Sequence, residues 1–226
     1  MRKFYKAALS IATAGVLISG LAACSMSSTT DDTSSPSAPA EEADPTPIAS
    51  IPALDGVDTQ VTLDAGFVEA LTTLGLTPGV LGGATLTDGV LAFPITGGNV
   101  DYYDPAEDYR PYVQGEIDHE GSGISLTAGD TVVELTDFVI DPGTSRLTGT
   151  VTANGELVGE DVFIFNLDGS TLNPLTEDAD GNAVLEGTTV LISEDAAPLL
   201  NETFGTDAVT DELVVGIAKI TAAAAS

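Results

Sequence analysis

The sequence predicts a mainly β domain, an antiparallel sandwich or barrel-like body with two short amphipathic helices. Three observations lead there. From about residue 51, short alternating segments recur between Gly, Asp, Asn and Pro turns, at 60–63, 89–93, 113–119, 124–126, 132–140, 147–153, 162–167, 190–192 and 213–221. Many short strands at such spacing are the mark of an antiparallel sandwich or barrel. Asn154-Gly155 lies between two such runs and supplies the positive φ of a tight hairpin turn. Hydrophobic residues make up 43% of the chain and there is one cysteine, so one core held by burial alone must carry the fold.

Taken from the start, residues 1–23 read as an export signal. Arg2, Lys3 and Lys6 precede an apolar run over 7–20, and small residues follow before Cys24. As a membrane span the stretch 7–23 is at the short limit of roughly 20 residues. It is followed by Ser, Thr and Asp rather than by a basic flank. Residues 24–50 are rich in Ser, Thr, Pro, Ala, Asp and Glu without hydrophobic periodicity, which predicts a disordered, extended linker. Residues 51–222 are expected to form a single β-rich domain and 223–226 a tail.

Two helices interrupt the strands. Asp64 is placed to cap a helix in which Phe67, Ala70, Leu71 and Leu74 make one apolar stripe, closed by Gly75. Ser193 or Asp195 is placed to cap a second, with Ala196, Leu199, Leu200 and Phe204 facing inward and Gly205 ending it. Pro198 is tolerated in its first turn, where amides lack helical partners.

Charge excludes one class of partner. Beyond the signal only Arg110, Arg146 and Lys219 oppose 35 acidic residues. Such a surface repels nucleic acid and anionic headgroups, since both are polyanions. Catalytic motifs are not visible: there is no Gly-x-Ser-x-Gly elbow or phosphate-cradling loop, and a single histidine serves the whole chain. The domain therefore reads as non-enzymatic, a ligand-binding or structural surface element. A carboxylate-dependent extracellular hydrolase is the enzyme alternative, although 35 acids make any chosen pair uninformative.

Three groups of residues are candidates for binding. Tyr102, Tyr103, Tyr109 and Tyr112 hold four of the chain's five tyrosines within eleven positions, together with Arg110. Tyrosine offers a flat apolar ring with a polar tip, a type enriched in binding surfaces; the plainer alternative is a loop covering the rim of a core. His119 alternates onto the face of Ile117, away from Glu116, Asp118 and Glu120, and reads either as a satisfied core histidine or as a ligand. Asp178, Asp180 and Asn182 around Gly181 resemble a calcium loop, yet its end positions fall on Thr176 and Gly187. A turn is the simpler reading and weak calcium binding the alternative.

Two family resemblances add to this. Leu21-Ala22-Ala23-Cys24 resembles the lipobox of bacterial lipoproteins. The resemblance implies cleavage after Ala23, lipid on the Cys24 thiol with palmitate-like acyl chains, and a place on the extracytoplasmic side of the cell membrane. Phe93-Pro94, then Gly115-x-Ile117-x-His119-x-Gly121, Ile124-x-Leu126 and the runs 132–140 and 147–151 resemble HtaA-type domains, β-rich modules of the cell envelope. Some members bind haem, through a tyrosine near the domain start supported by a histidine. The position of that tyrosine falls on 64–71, where this chain has none, and His119 stands near the position of the histidine. The resemblance implies the fold, with haem as the cofactor of a binding version in which Tyr102, Tyr103, Tyr109 or Tyr112 would supply the oxygen.

Overall fold

A computed structural model describes residues 45–225. Cys24 and most of the expected linker lie outside them. The chain forms β1 (Ala49–Ile51), β2 (Leu54–Leu63), α1 (Ala65–Leu74), β3 (Thr77–Gly82), β4 (Thr85–Thr87), β5 (Val90–Pro94) and β6 (Gly97–Tyr102). The longer β7 (Val113–Ala128), β8 (Thr131–Asp141), β9 (Arg146–Ala153) and β10 (Glu156–Asp168) follow. β11 (Thr176–Glu177), β12 (Ala183–Ile192), α2 (Ala196–Phe204) and β13 (Val214–Ala224) complete it.

Every pairing is antiparallel, as the short connections require. The strands make one sheet in the order β1-β6-β7-β8-β9-β10-β12-β13-β2-β5-β4, with β3 on β7 and β11 on β12. The sheet curls into a barrel-like body without closing. Its two sides meet where β5 runs on into β6. There Ile95 N donates to Val57 O on β2, and Thr96 N donates to Asp118 O on β7. Inward-facing residues of the sheet and the two helices form one core.

The expected helices form where the caps predict. Asp64 Oδ1 accepts from Gly66 N at 2.8 Å and Phe67 N at 3.3 Å, and Gly75 closes α1 with φ 67°. Phe67 and Leu71 are buried, each contributing roughly 1.5–3 kcal/mol of transfer free energy. For α2 the capping side chain is Ser193: its Oγ accepts from Ala196 N at 2.9 Å, while Asp195 makes no cap bond. Both helices cover the same end of the barrel, facing each other across Leu71, Leu74, Leu199 and Leu200.

The structure departs from the sequence reading at several strands. The segments 113–119 and 124–126 are one strand, β7. The glycines between them form a bulge against β8, with Gly121 at φ 70° and its N–H held by Asp137 Oδ1 at 2.8 Å. β1, β3, β4, β6 and β11 were not expected, because Pro78, Gly79, Gly97 and Gly98 read as turn residues. β1 lies at 49–51, overlapping the expected linker, and β13 continues to Ala224, overlapping the expected tail. Gly98 and Gly115 have a different reason to be glycine. At φ 112° and 122° their backbones pass so close that a Cβ would sit 2.0 Å from Glu116 O or 2.1 Å from Asn99 O.

Candidate ligand cavity

The barrel interior has three levels, and they are filled unequally. Beneath α1 and α2 only about 60 Å³ of space remains among Leu, Ile and Val side chains. The middle level is packed by Phe93, Phe138, Phe165 and His119, leaving about 40 Å³. At the end away from the helices a cavity of about 460 Å³ opens. That lies in the size class of small-molecule sites, roughly 300–1,000 Å³.

Its walls follow from strand alternation. Ile117 of β7, Ile140 of β8, Leu167 of β10, and Ala218, Ile220 and Ala222 of β13 point into it, and the deepest are buried. Among the described residues no Asp, Glu, Lys or His lines it; the polar side chains present are Ser50, Tyr102, Arg110, Tyr112, Ser145 and Thr188. Leu172 and Leu175, on the segment after β10, complete the side of the mouth opposite the tyrosine loop.

That loop, 103–112, is tied at its base by Tyr103 N donating to Tyr112 O at 2.7 Å. Arg110 organises its interior: the guanidinium donates to the carbonyls of Pro105, Glu107 and Tyr109 and lies 5.4 Å from the Tyr112 ring centre. These bonds satisfy carbonyls that have no ladder partner. The four candidate tyrosines separate into two pairs. Tyr102 and Tyr112 meet edge to face at 5.9 Å and both line the cavity. Tyr103 and Tyr109 pack on each other at 4.6 Å and do not line it. The Tyr102 hydroxyl accepts from Leu175 N at 3.5 Å, a long bond linking the two sides of the mouth. Burial raises the Tyr112 pKa above its ordinary value; the neighbouring Tyr102 adds to this and Arg110 opposes it.

His119 is not part of this cluster. It is 1% exposed in the middle level, with Nδ1 3.2 Å from Phe138 O and Nε2 2.8 Å from Thr59 Oγ1. A carbonyl only accepts, so Nδ1 carries the proton and Nε2 accepts from the Thr59 hydroxyl. Desolvation lowers its pKa to about 4, with the bond to Phe138 opposing. Asp178 makes a tight turn: its carboxylate accepts from Asp180 N, Asn182 N and Asn182 Nδ2, each at 2.9 Å. Those bonds, the Asn182 side chain first, hold its pKa below the ordinary value. Among the described residues no group of three His, Cys, Asp or Glu side chains is placed to hold a metal ion. Nor, among them, is any helix long and apolar enough to cross a membrane.

No protein-family profile and no curated protein matches the chain. Among solved structures, the C-terminal domain of HtaA from Corynebacterium glutamicum is similar with a TM-score of 0.52. The match covers 76% of this chain and 97% of that domain at 16% identity. A histidine-to-alanine variant of the same domain, crystallised as a domain-swapped dimer, matches with a TM-score of 0.45 over 70% of this chain and 90% of that one, again at 16% identity.

The likeness is one of fold.

α1 bears no tyrosine, the space beside it is about 60 Å³, and both ring nitrogens of His119 are engaged inside the core. The phenols that face open space are Tyr102 and Tyr112, at the opposite end of the barrel.

The sequence singled out the tyrosine stretch but not the cavity behind it. The aliphatic walls come from six or more strands far apart in the chain, and each strand alone shows only ordinary alternation.

Proposed function

We propose that the exported chain is a binding module of the cell envelope, tethered to the membrane by lipid on Cys24, that holds an apolar small molecule in the open end of its barrel. One observation carries this reading: a cavity of about 460 Å³, walled by aliphatic side chains, in a body whose other two levels are filled. An apolar space of this size loses dispersion contacts along its whole lining, and an apolar ligand restores them. The envelope location is supported by the lipobox-like Leu21-Ala22-Ala23-Cys24 and by the fold likeness to an HtaA domain. A binding role rather than catalysis is supported by the lining, where among the described residues neither a carboxylate nor an imidazole stands beside the two serines.

The test is native mass spectrometry of protein extracted from its host, followed by identification of what denaturation releases. The expected result is one equivalent of an apolar compound and a Cys24 thioether-linked lipid on the intact mass. A protein that leaves the host empty and binds no apolar probe overturns the reading. An unmodified thiol, or a chain still starting at Met1, overturns the tether.

Haem is the second reading, favoured by the two phenols at the mouth. A phenol raised in pKa resists becoming the phenolate that iron prefers, which weighs against it. Titration with haemin decides: a Soret shift abolished by Tyr112→Phe or Tyr102→Phe supports haem, and no shift eliminates it.

A further inference from the structure

We infer that the cavity is shaped for one aliphatic chain of an amphiphile whose head group, uncharged or zwitterionic, stays at the Tyr112 mouth. The inference rests on the binding reading above and narrows it to a ligand class.

Three features of the cavity point to an aliphatic chain. The inner wall is aliphatic, with Ile117, Ile140, Leu167, Leu185 and Ile220 among its residues. Among the described residues its only aromatic rings, Tyr102 and Tyr112, stand edge to face at 83°, so they present no parallel platform for a planar ligand. Deep in the space no charged side chain among the described residues is available to fix a polar group, and burying an unpaired one there is unfavourable. Hydrocarbon is the occupant such a lining favours, since each methylene removed from water adds to binding.

The head group is argued from the mouth. Polar capacity lies there: the Tyr112 and Tyr102 hydroxyls and Ser50 and Ser145. Among the described residues Arg110 is the only cation on the lining, and its guanidinium is already committed to three carbonyls of its own loop. The same loop carries Asp104, Glu107 and Asp108, and the whole chain is acidic, so a carboxylate or phosphate monoester head would be repelled. The chain also enters the domain at this wall, since Ala49 and Ile51 line it. Twenty-five positions separate Cys24 from Ala49. A free amphiphile, a membrane lipid and the acyl group on Cys24 itself all offer this chemistry, and the test separates the internal source from the others.

The exported chain from residue 24, carrying Cys24→Ser, is titrated calorimetrically below the micelle concentration with three probes that share one chain. These are dodecyl maltoside, dodecylphosphocholine and laurate. The first two are expected to bind one to one with a negative heat-capacity change, and laurate at least tenfold more weakly. Ala183→Phe, which puts a ring into the cavity from β12, is expected to weaken the first two at least tenfold. Leu157→Phe, on the exposed β9–β10 hairpin, is expected to change nothing. Circular dichroism shows that both variants are folded. Lipidated wild-type protein runs beside them: if it alone fails to bind, its own acyl chain fills the cavity, which supports the same ligand class from an internal source. Laurate binding as tightly as the other two overturns the head-group assignment. Naphthalene or haemin binding in an Ala183→Phe-sensitive way while the dodecyl probes fail overturns the aliphatic chain and leaves the binding reading standing. If no probe binds, both fall.

Discussion

Thr59 donates its hydroxyl to His119 Nε2 at 2.8 Å, joining β2 to β7 inside the barrel across 60 positions of sequence. With Nδ1–H on the Phe138 carbonyl, the only imidazole in the chain is fully used between three strands. It plugs the level that separates the closed helical end from the open cavity.

This placement makes stability depend on acid. His119 has its pKa lowered to about 4 by desolvation, against 6.5 in the unfolded chain. Above pH 6.5 both states hold it neutral and it contributes no pH dependence. Between 6.5 and 4 the unfolded chain binds the extra proton, so stability falls as pH falls. The full effect is about 3 kcal/mol. Denaturant titrations at pH 7 and pH 4.5 should show a loss in the wild type that His119→Gln lacks, the difference between the two curves removing the contribution of the carboxylates. Parallel pH dependence in both would contradict the assignment.

Thr59→Val keeps the shape and removes the donor, leaving a buried imidazole nitrogen without a partner. The expected cost is about 1–3 kcal/mol, while Thr59→Ser, which keeps the hydroxyl, loses less. Equilibrium unfolding in urea reads both.

Ser193 is fully buried and uses its hydroxyl twice, donating to Phe163 O at 2.6 Å and accepting from Ala196 N at 2.9 Å. Ser193→Ala therefore removes a helix cap and a tie to β10 together. It should cost about 2 kcal/mol, more than Asp64→Ala at the exposed cap of α1, near 1 kcal/mol. Thermal melts of the two variants give the order; equal losses would show the Phe163 bond to be unimportant.

Gly115→Ala puts a methyl group 2.1 Å from Asn99 O at a φ of 122°, so β6 must move off β7. A loss of about 1–3 kcal/mol is expected from the strain. Because β6 ends in Tyr102 and β7 begins beside Tyr112, amphiphile binding at the mouth should weaken as well. Full affinity in a destabilised variant would separate the mouth from this crossing.

Calcium offers a check on the 178–182 turn. Its carboxylate oxygens already serve three donors of the turn, so millimolar calcium should shift the melting temperature of wild type and Asp178→Ala by the same amount. A shift present in wild type and lost in the variant would make the turn a cation site.

Both helices were legible to within a residue or so, because caps and apolar stripes are local. So was the Asn154-Gly155 hairpin, where β9 and β10 pair from Ala153 and Glu156 outward. β3 and β6 were hidden by Pro78, Gly79, Gly97 and Gly98, which look like turn formers in the sequence. In the sheet Gly98 lets the β6 backbone pass Glu116 O where no Cβ fits, while Gly79 and Gly97 face the side chains of Ser125 and Asp118. The glycine cluster 121–123 concealed the continuity of β7 for a related reason: a bulge and a turn use the same residues.

Composition and order along the chain were enough to determine an acidic, mainly β domain with two capped helices and a tyrosine-rich stretch, since each depends on neighbours a few positions apart. Only the tertiary structure decided that His119 belongs to the core, that Tyr102 and Tyr112 part company with Tyr103 and Tyr109, and that one end of the barrel is left open. Those outcomes depend on which faces of distant strands meet and how well their side chains fill the space between them, and alternation within a strand does not specify either.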